Sequence, residues 1–322
     1  MPNILITSAG RRVSLVRAFK KELDKYFSGN KVLTADMNPD LSAACRVSDY
    51  YFKVPPVTDP SYCRILSDIC KSNNIKLIIP TIDTELAILS NNIGFFKDSG
   101  ITAVISDTEV IDLCRDKHKT HSFFDEIEFP RCMEVDLNNP HFPVFSKPFD
   151  GSSSIGIRII RNEDDLHAIK DYQNKMMFLE YLDPKDFKEF TIDLYFDRMS
   201  RLKCAVPRQR IEVRTGEVSK AVTVRDELYR LVCSKFSYCK GFRGCITLQV
   251  FRNNSLKDVY GIEINPRFGG GYPLSYIAKA NYPEMIIMEY FMDEEIPFFE
   301  SWIQNLLMLR YDDEIIVNDY KG

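Results

Sequence analysis

Over its first 114 residues the chain alternates short apolar runs with amphipathic stretches, and this alternation leaves few folds open. Ile4-Leu5-Ile6-Thr7 reads as a buried strand, followed by a turn at Ser8-Ala9-Gly10 and a helix with Val13, Val16 and Phe19 on one face. Lys31 to Asp36 predicts a second strand, Tyr62 to Cys70 a helix, and Leu77 to Ile79 a third strand. Ile101 to Ile105 predicts a fourth, ahead of a short helix from Asp107 to Cys114. Strands separated by helices imply a parallel sheet covered on both faces. Ligands of such α/β sheets bind beyond the carboxyl ends of the strands. That edge carries Ser8 to Arg12, Asp36 to Asn38 and Thr81 to Asp83.

After about residue 115 the pattern becomes α+β, with Pro-bounded strands and Gly-rich turns. Val144 to Lys147 and Ile157 to Ile160 predict two strands around a Gly/Ser turn, with Met177 to Tyr181, Glu189 to Tyr195 and Lys203 to Val206 as further strands. Ile246 to Phe251 and Val259 to Ile264 predict a hairpin. The stretch after Phe299 carries no clear signal.

At 322 residues the chain is long enough for two or three cores, with 45% hydrophobic residues and no run long enough to span a bilayer. A net charge of −4 gives no support for a nucleic-acid or membrane-surface partner. Nine cysteines without a CxxC pair imply reduced thiols, and a strand starting at Asn3 leaves no room ahead of it for a signal peptide, so the expected location is the cytoplasm. The four histidines have no metal-ligand spacing, and no Ser-His-Asp or Cys-His arrangement is visible.

Three constellations carry chemistry. The first turn has a single glycine, Gly10, followed by Arg11 and Arg12; it is either a small anion site or a tight turn, and it lacks the three glycines of a nicotinamide-dinucleotide fingerprint. Lys147 closes a strand ahead of Gly151-Ser152-Ser153-Ser154-Ile155-Gly156, which places an ammonium and several backbone N–H groups near one polyphosphate, unless the element is a plain hairpin. Glu263 and Asn265 share a strand face, either polar caps at a strand end or a hard-oxygen pair suited to Mg²⁺, with Gln249 on the neighbouring strand as a third oxygen if the hairpin register brings it there and Arg267 two residues beyond. Gly269 to Gly271 lets backbone approach a ligand. Residues 201–225 hold seven basic against two acidic side chains. Arg208, Arg210 and Arg214 alternate along one face if extended, bracing anions or forming a solvated ribbon; Arg210 is the preferred residue.

In this order the pieces resemble the ATP-grasp superfamily, in particular its carbamoyl-phosphate-synthase-like ligases, most specifically through Gln249 and the run Glu263-Ile264-Asn265-Pro266-Arg267-Phe268-Gly269-Gly270-Gly271. The resemblance implies a Rossmann-like pre-ATP-grasp domain (1–113), a small lobe with the nucleotide lysines and Gly-rich loop (114–178), and a large lobe with the adenine hinge and metal ligands (179–322). It implies ATP and Mg²⁺ as cofactors, with two ions and Mn²⁺ as a substitute. Lys117 and Lys147 would meet the phosphates, under a closing loop of Gly151, Ser152, Ser153, Ser154 and Gly156. Glu180, Tyr181 and Leu182 would meet adenine, and Glu189 the ribose. Gln249, Glu263 and Asn265 would hold metal, while Arg267 and Arg210 would act on the transferring phosphoryl group. Gly10, Arg11, Arg12, Arg208 and Arg214 are the candidate substrate contacts. The implied activity joins a carboxylate to an amine through an acyl phosphate, with bicarbonate chemistry or an inactive nucleotide-binding scaffold as alternatives and a homodimer as the base-rate assembly.

Overall fold

The computed structural model describes residues 2–150, 156–169, 174–214, 216–255, 258–318 and 320. Its first sheet contains β1 (Asn3–Thr7), β2 (Val32–Asp36), β3 (Tyr50–Lys53), β4 (Ile75–Pro80) and β5 (Thr102–Ala103). All pair in parallel, in the order β3-β2-β1-β4-β5. Alternation along β1 assigns Ile4 and Ile6 to one core and Leu5 to another, as a sheet buried on both faces requires. Two details differ from the sequence reading. The edge strand β3 is additional to it, because Tyr50 and Lys53 are exposed and leave no apolar run. The strand expected over Ile101 to Ile105 pairs only through Thr102 and Ala103.

A three-stranded antiparallel sheet, ordered β7-β6-β8, follows: β6 (Val144–Pro148), β7 (Arg158–Ile160) and β8 (Met176–Glu180). The large sheet contains β9 (Phe187–Phe196), β10 (Leu202–Arg214), β11 (Glu217–Thr223), β12 (Gly244–Asn253), β13 (Val259–Asn265) and β14 (Leu307–Leu309), ordered β13-β12-β9-β10-β11-β14. The expected short strand at Lys203 to Val206 is therefore 13 residues long. Pro207 interrupts the sequence signal without interrupting the strand. Its carbonyl accepts from Val224 N at 2.9 Å on the β11 side, so the missing N–H faces a point where β11 has already ended. The stretch after Phe299 supplies β14 and a buried Trp302.

One hydrophobic core runs from the first sheet into the large one, through the helix Val13–Tyr26 and the helix Tyr282–Phe291. Phe19 and Phe268 meet edge to face at 5.9 Å across that junction. The carboxyl edge of the parallel sheet is thereby held against the end of β13.

Glu85 lies fully buried beneath that edge, accepting from Tyr62 Oη at 2.5 Å and Ser8 Oγ at 2.9 Å. Burial raises its pKa above the ordinary carboxylate range. Its folded pKa exceeds the unfolded one, so its contribution to stability is full below the unfolded pKa and is lost as pH rises through the folded value. Glu85→Gln should therefore gain on the wild type as pH rises above the ordinary carboxylate range, each tenfold of raised proton affinity counting for about 1.4 kcal/mol. Thermal melts across that rise in pH test it; a pH-independent difference would contradict it.

Candidate active site

The end of β13 is where the separate parts of the chain meet. Gln249 on β12 stands directly opposite Glu263 on β13, and Thr247 opposite Asn265. Asn265 Nδ2 donates to Glu263 Oε1 at 3.0 Å. Gln249 Nε2 donates to Glu189 on β9, which also accepts from Arg210 on β10. With its amide nitrogen engaged, Gln249 has its oxygen left for a cation. Among the described residues no three His, Cys, Asp or Glu side chains converge as metal ligands, so a site here depends on those two amide oxygens with Glu263. That hard-oxygen set fits Mg²⁺.

Lys147 reaches this place from β6 and Lys117 from the start of the helix Lys117–Glu126. Both are almost fully buried, at 5% and 7% exposure. Lys147 Nζ donates to Ile262 O at 3.3 Å, and Lys117 Nζ to Phe149 O at 3.5 Å. Burial lowers the Lys147 pKa to about 8; Glu263 opposes the shift and Lys117 adds to it. Lys117 is lowered for the same reason, opposed first by Glu263. Two ammonium groups thus crowd around one carboxylate, an arrangement that a polyanion relieves. Met177, Leu179, Leu182, Tyr260 and Ile262 form an apolar cluster beside them.

Arg267 donates to Asp83 at 2.5 Å and lies 3.4 Å from Asn265 Oδ1. Asp83 opens the helix Asp83–Asn91 at the carboxyl edge of the first sheet. Sequence reasoning places it on that edge without giving it a role; its pairing with Arg267 depends on how the two sheets pack.

Other expected site residues are placed differently. Arg208 is 0% exposed and makes a bidentate pair with Asp193 at 2.8 and 2.9 Å, so it is unavailable to a substrate. The Gly269–Gly271 turn covers it: a Cβ on Gly271 would lie 2.1 Å from Arg208 Nη1. Arg214 points away, pairing with Asp312 in solvent, because register shifts after Arg210 break the expected common face. The Gly10 N–H is taken by Asp36 Oδ2 at 2.9 Å, which removes it as an anion donor. The Glu180 carboxylate accepts from Met133 N at 2.8 Å and so braces its own strand. Gly151, Ser152, Ser153 and Ser154 lie outside the described residues. Gly156, with φ +78°, packs on Pro148. Sequence reasoning misses Glu217 and Arg310; both contact Gly270 or its neighbours from elements remote in sequence.

Residues 4–105 match the family model described as PylC-like, N-terminal domain, and residues 172–306 match the one described as ATP-grasp in the biosynthetic pathway with Ter operon. Residues 172–306 thus form an ATP-grasp domain. No curated protein sequence matches it. Among solved structures, the chain is similar to the biotin carboxylase domain of Hydrogenobacter thermophilus 2-oxoglutarate carboxylase, with a TM-score of 0.72 and 16% identity over 95% of this chain and 73% of that one. It is similar to biotin carboxylase from Campylobacter jejuni, with a TM-score of 0.71 and 17% identity over 95% and 74%. N5-carboxyaminoimidazole synthetase from Staphylococcus aureus gives 0.68 and 16% over 92% and 78%. At these identities the likeness is one of fold. No helix among the described residues is long and apolar enough to cross a membrane.

Proposed function

We propose that this protein is an ATP- and Mg²⁺-dependent ligase. A substrate carboxylate oxygen attacks the γ-phosphorus, the bond to the β-phosphate oxygen breaks, and ADP leaves. An amine then adds to the acyl carbon, phosphate departs, and the amine's proton passes to solvent or phosphate. The observation that carries this reading is the convergence of buried Lys117 and Lys147 on Glu263, with Asn265, Gln249 and Arg267 alongside. Magnesium, when bound, neutralises phosphate charge and polarises the transferring group. Lys117 and Lys147 hold the phosphates, while Arg267 and Arg210 stabilise charge that develops on the phosphoryl and acyl oxygens. The apolar cluster at Met177, Leu182 and Ile262 receives adenine, and Glu189 the ribose. The division at 1–113, 114–178 and 179–322, a second Mg²⁺, Mn²⁺ as substitute, a homodimer and a cytoplasmic location belong to the same reading.

Release of ADP and phosphate that requires both an added carboxylate and an amine tests the proposal; AMP as product would overturn it. A second reading has bicarbonate as the carboxylate, favoured by the bicarbonate anion held in the Hydrogenobacter thermophilus structure of the same fold. Turnover with bicarbonate and ammonia alone separates it from the first.

Nucleotide affinity gives a further check. Lys147 is protonated below about pH 8 in the free protein. MgADP affinity should therefore be level below that value and decline above it, by about tenfold per pH unit at the limit. In Lys147→Arg the decline should shrink to what Lys117 alone contributes, and Lys147→Met should weaken binding about tenfold or more at pH 7. Titration calorimetry at several pH values reads both effects.

A further inference from the structure

Four guanidinium groups from distant parts of the chain gather where the first helix meets the large sheet. Arg11 and Arg12 precede the helix Val13–Tyr26, Arg267 follows β13, and Arg310 follows β14. Two carboxylates face them. Glu217 lies 3.0 Å from Arg310, 3.5 Å from Arg11 and 3.7 Å from Arg12, while Asp83 pairs with Arg267. Four positive charges against two negative ones leave an excess of two.

Arg12 is the least satisfied member. Its side chain is 21% exposed, yet among the described residues its one ion pair is the long contact to Glu217, and no hydrogen bond completes its five donors. Burial first, and then the neighbouring Arg267, Arg310 and Arg11, disfavour its charged form, while Glu217 opposes them. Gly270 makes the approach feasible, since a Cβ there would lie 2.9 Å from Arg12 Nη1 and 3.0 Å from Glu217 Cδ. Arg310 is fixed on the other side by donating to Gly270 O at 2.6 Å. The remaining nearby acid, Asp36, is occupied by the backbone N–H groups of Gly10 and Asn38.

We infer that Arg12 and Arg310, with Arg11 at the rim, bind an oxyanion carried by one of the ligase's substrates, a phosphoryl or second carboxylate group remote from the reacting carbonyl. The inference rests on the ligase reading. It narrows the substrate to a molecule with an anionic group beyond the carboxylate that is activated. Guanidinium forks suit such groups because two parallel N–H donors match two oxygens.

The test titrates inorganic phosphate and, separately, succinate into the full chain, both saturated with MgADP and nucleotide-free, in the wild type, in Arg12→Met/Arg310→Met and in Lys147→Met. Saturation with MgADP keeps phosphate from the nucleotide lysines. Wild type and Lys147→Met should bind at least one of the two anions, with the preferred one distinguishing phosphoryl from carboxyl. The double variant should lose about tenfold or more in that affinity. Its MgADP affinity should stay within about twofold, since Arg12 and Arg310 make no part of the nucleotide pocket, which also certifies its fold. Should the double variant misfold, each single variant is read the same way, with a loss of several-fold expected. Equal anion affinity in wild type and variants would overturn the inference, as would no binding of either anion to wild type. Failure of MgADP to bind while the anion result holds would instead overturn the ligase reading.

Discussion

Glu263→Gln should lower carboxylate-dependent ADP release by about a hundredfold or more, a loss typical of removing a key electrostatic group from a reacting site. In the proposed metal set Glu263 is the carboxylate beside two amides, and it faces both buried lysines. Its neutral isostere keeps an oxygen for the metal but removes the charge that binds it. The same substitution removes the main force opposing the downward pKa shift of Lys147, so the ammonium proposed to hold phosphate is weakened as well. The two losses act together and are expected to exceed either alone. A coupled ADP assay with a Mg²⁺ titration reads the effect. Turnover within about threefold of wild type would remove Glu263 from the metal set and favour a scaffold role for the chain.

The second large effect is on stability. Asp193→Ala should destabilise the protein by about 3–5 kcal/mol, because it leaves the Arg208 charge buried without its partner. Both side chains are essentially inaccessible, and Ser275 Oγ also donates to Asp193 at 2.5 Å. Among the described residues Arg208 Nη1 already has no hydrogen-bond partner, so none of them offers a ready alternative acceptor. Replacing both residues at once, as Asp193→Leu with Arg208→Met, should recover most of the loss, since neither charge is then stranded. Denaturant unfolding measures it; a loss below about 1 kcal/mol for Asp193→Ala would show that water or rearrangement rescues the arginine. The pair also supports the turn that follows Arg267. Thr247 Oγ1 donates to Arg267 O at 2.9 Å, and Gly269 and Gly271 pack directly over Thr247 and Arg208. Damage there should therefore reach the site.

Much of the candidate site was legible because strand chemistry is local. Glu263 and Asn265 share a face through the two-residue period of a strand, and Lys147 closes a strand ahead of a glycine turn, whatever the rest of the chain does. The register of Gln249 against Glu263 was not legible, since a shift between Gln249 and Val250 intervenes. The basic run from Arg201 to Arg225 shows the limit most clearly. Arg208, Arg210 and Arg214 share one face if the segment is extended, yet one is buried on Asp193, one pairs with Glu189 beside Gln249, and one lies in solvent. Their fates depend on strand register and on which turn covers each of them, which are non-local quantities.

The residue order alone therefore determined the layered α/β and α+β architecture, the position of Lys147 at a strand end and the hard-oxygen pair on β13. Each of these rests on hydrophobic period or on neighbours within a few residues. Tertiary structure alone decided that Asp83 holds Arg267, that Arg208 is a core ion pair, and that Arg310 from the unassigned end of the chain joins Arg12 over Gly270. Charged side chains find partners across elements far apart in sequence. Only the packing of one sheet edge against the other sets those distances and the burial that gives them weight.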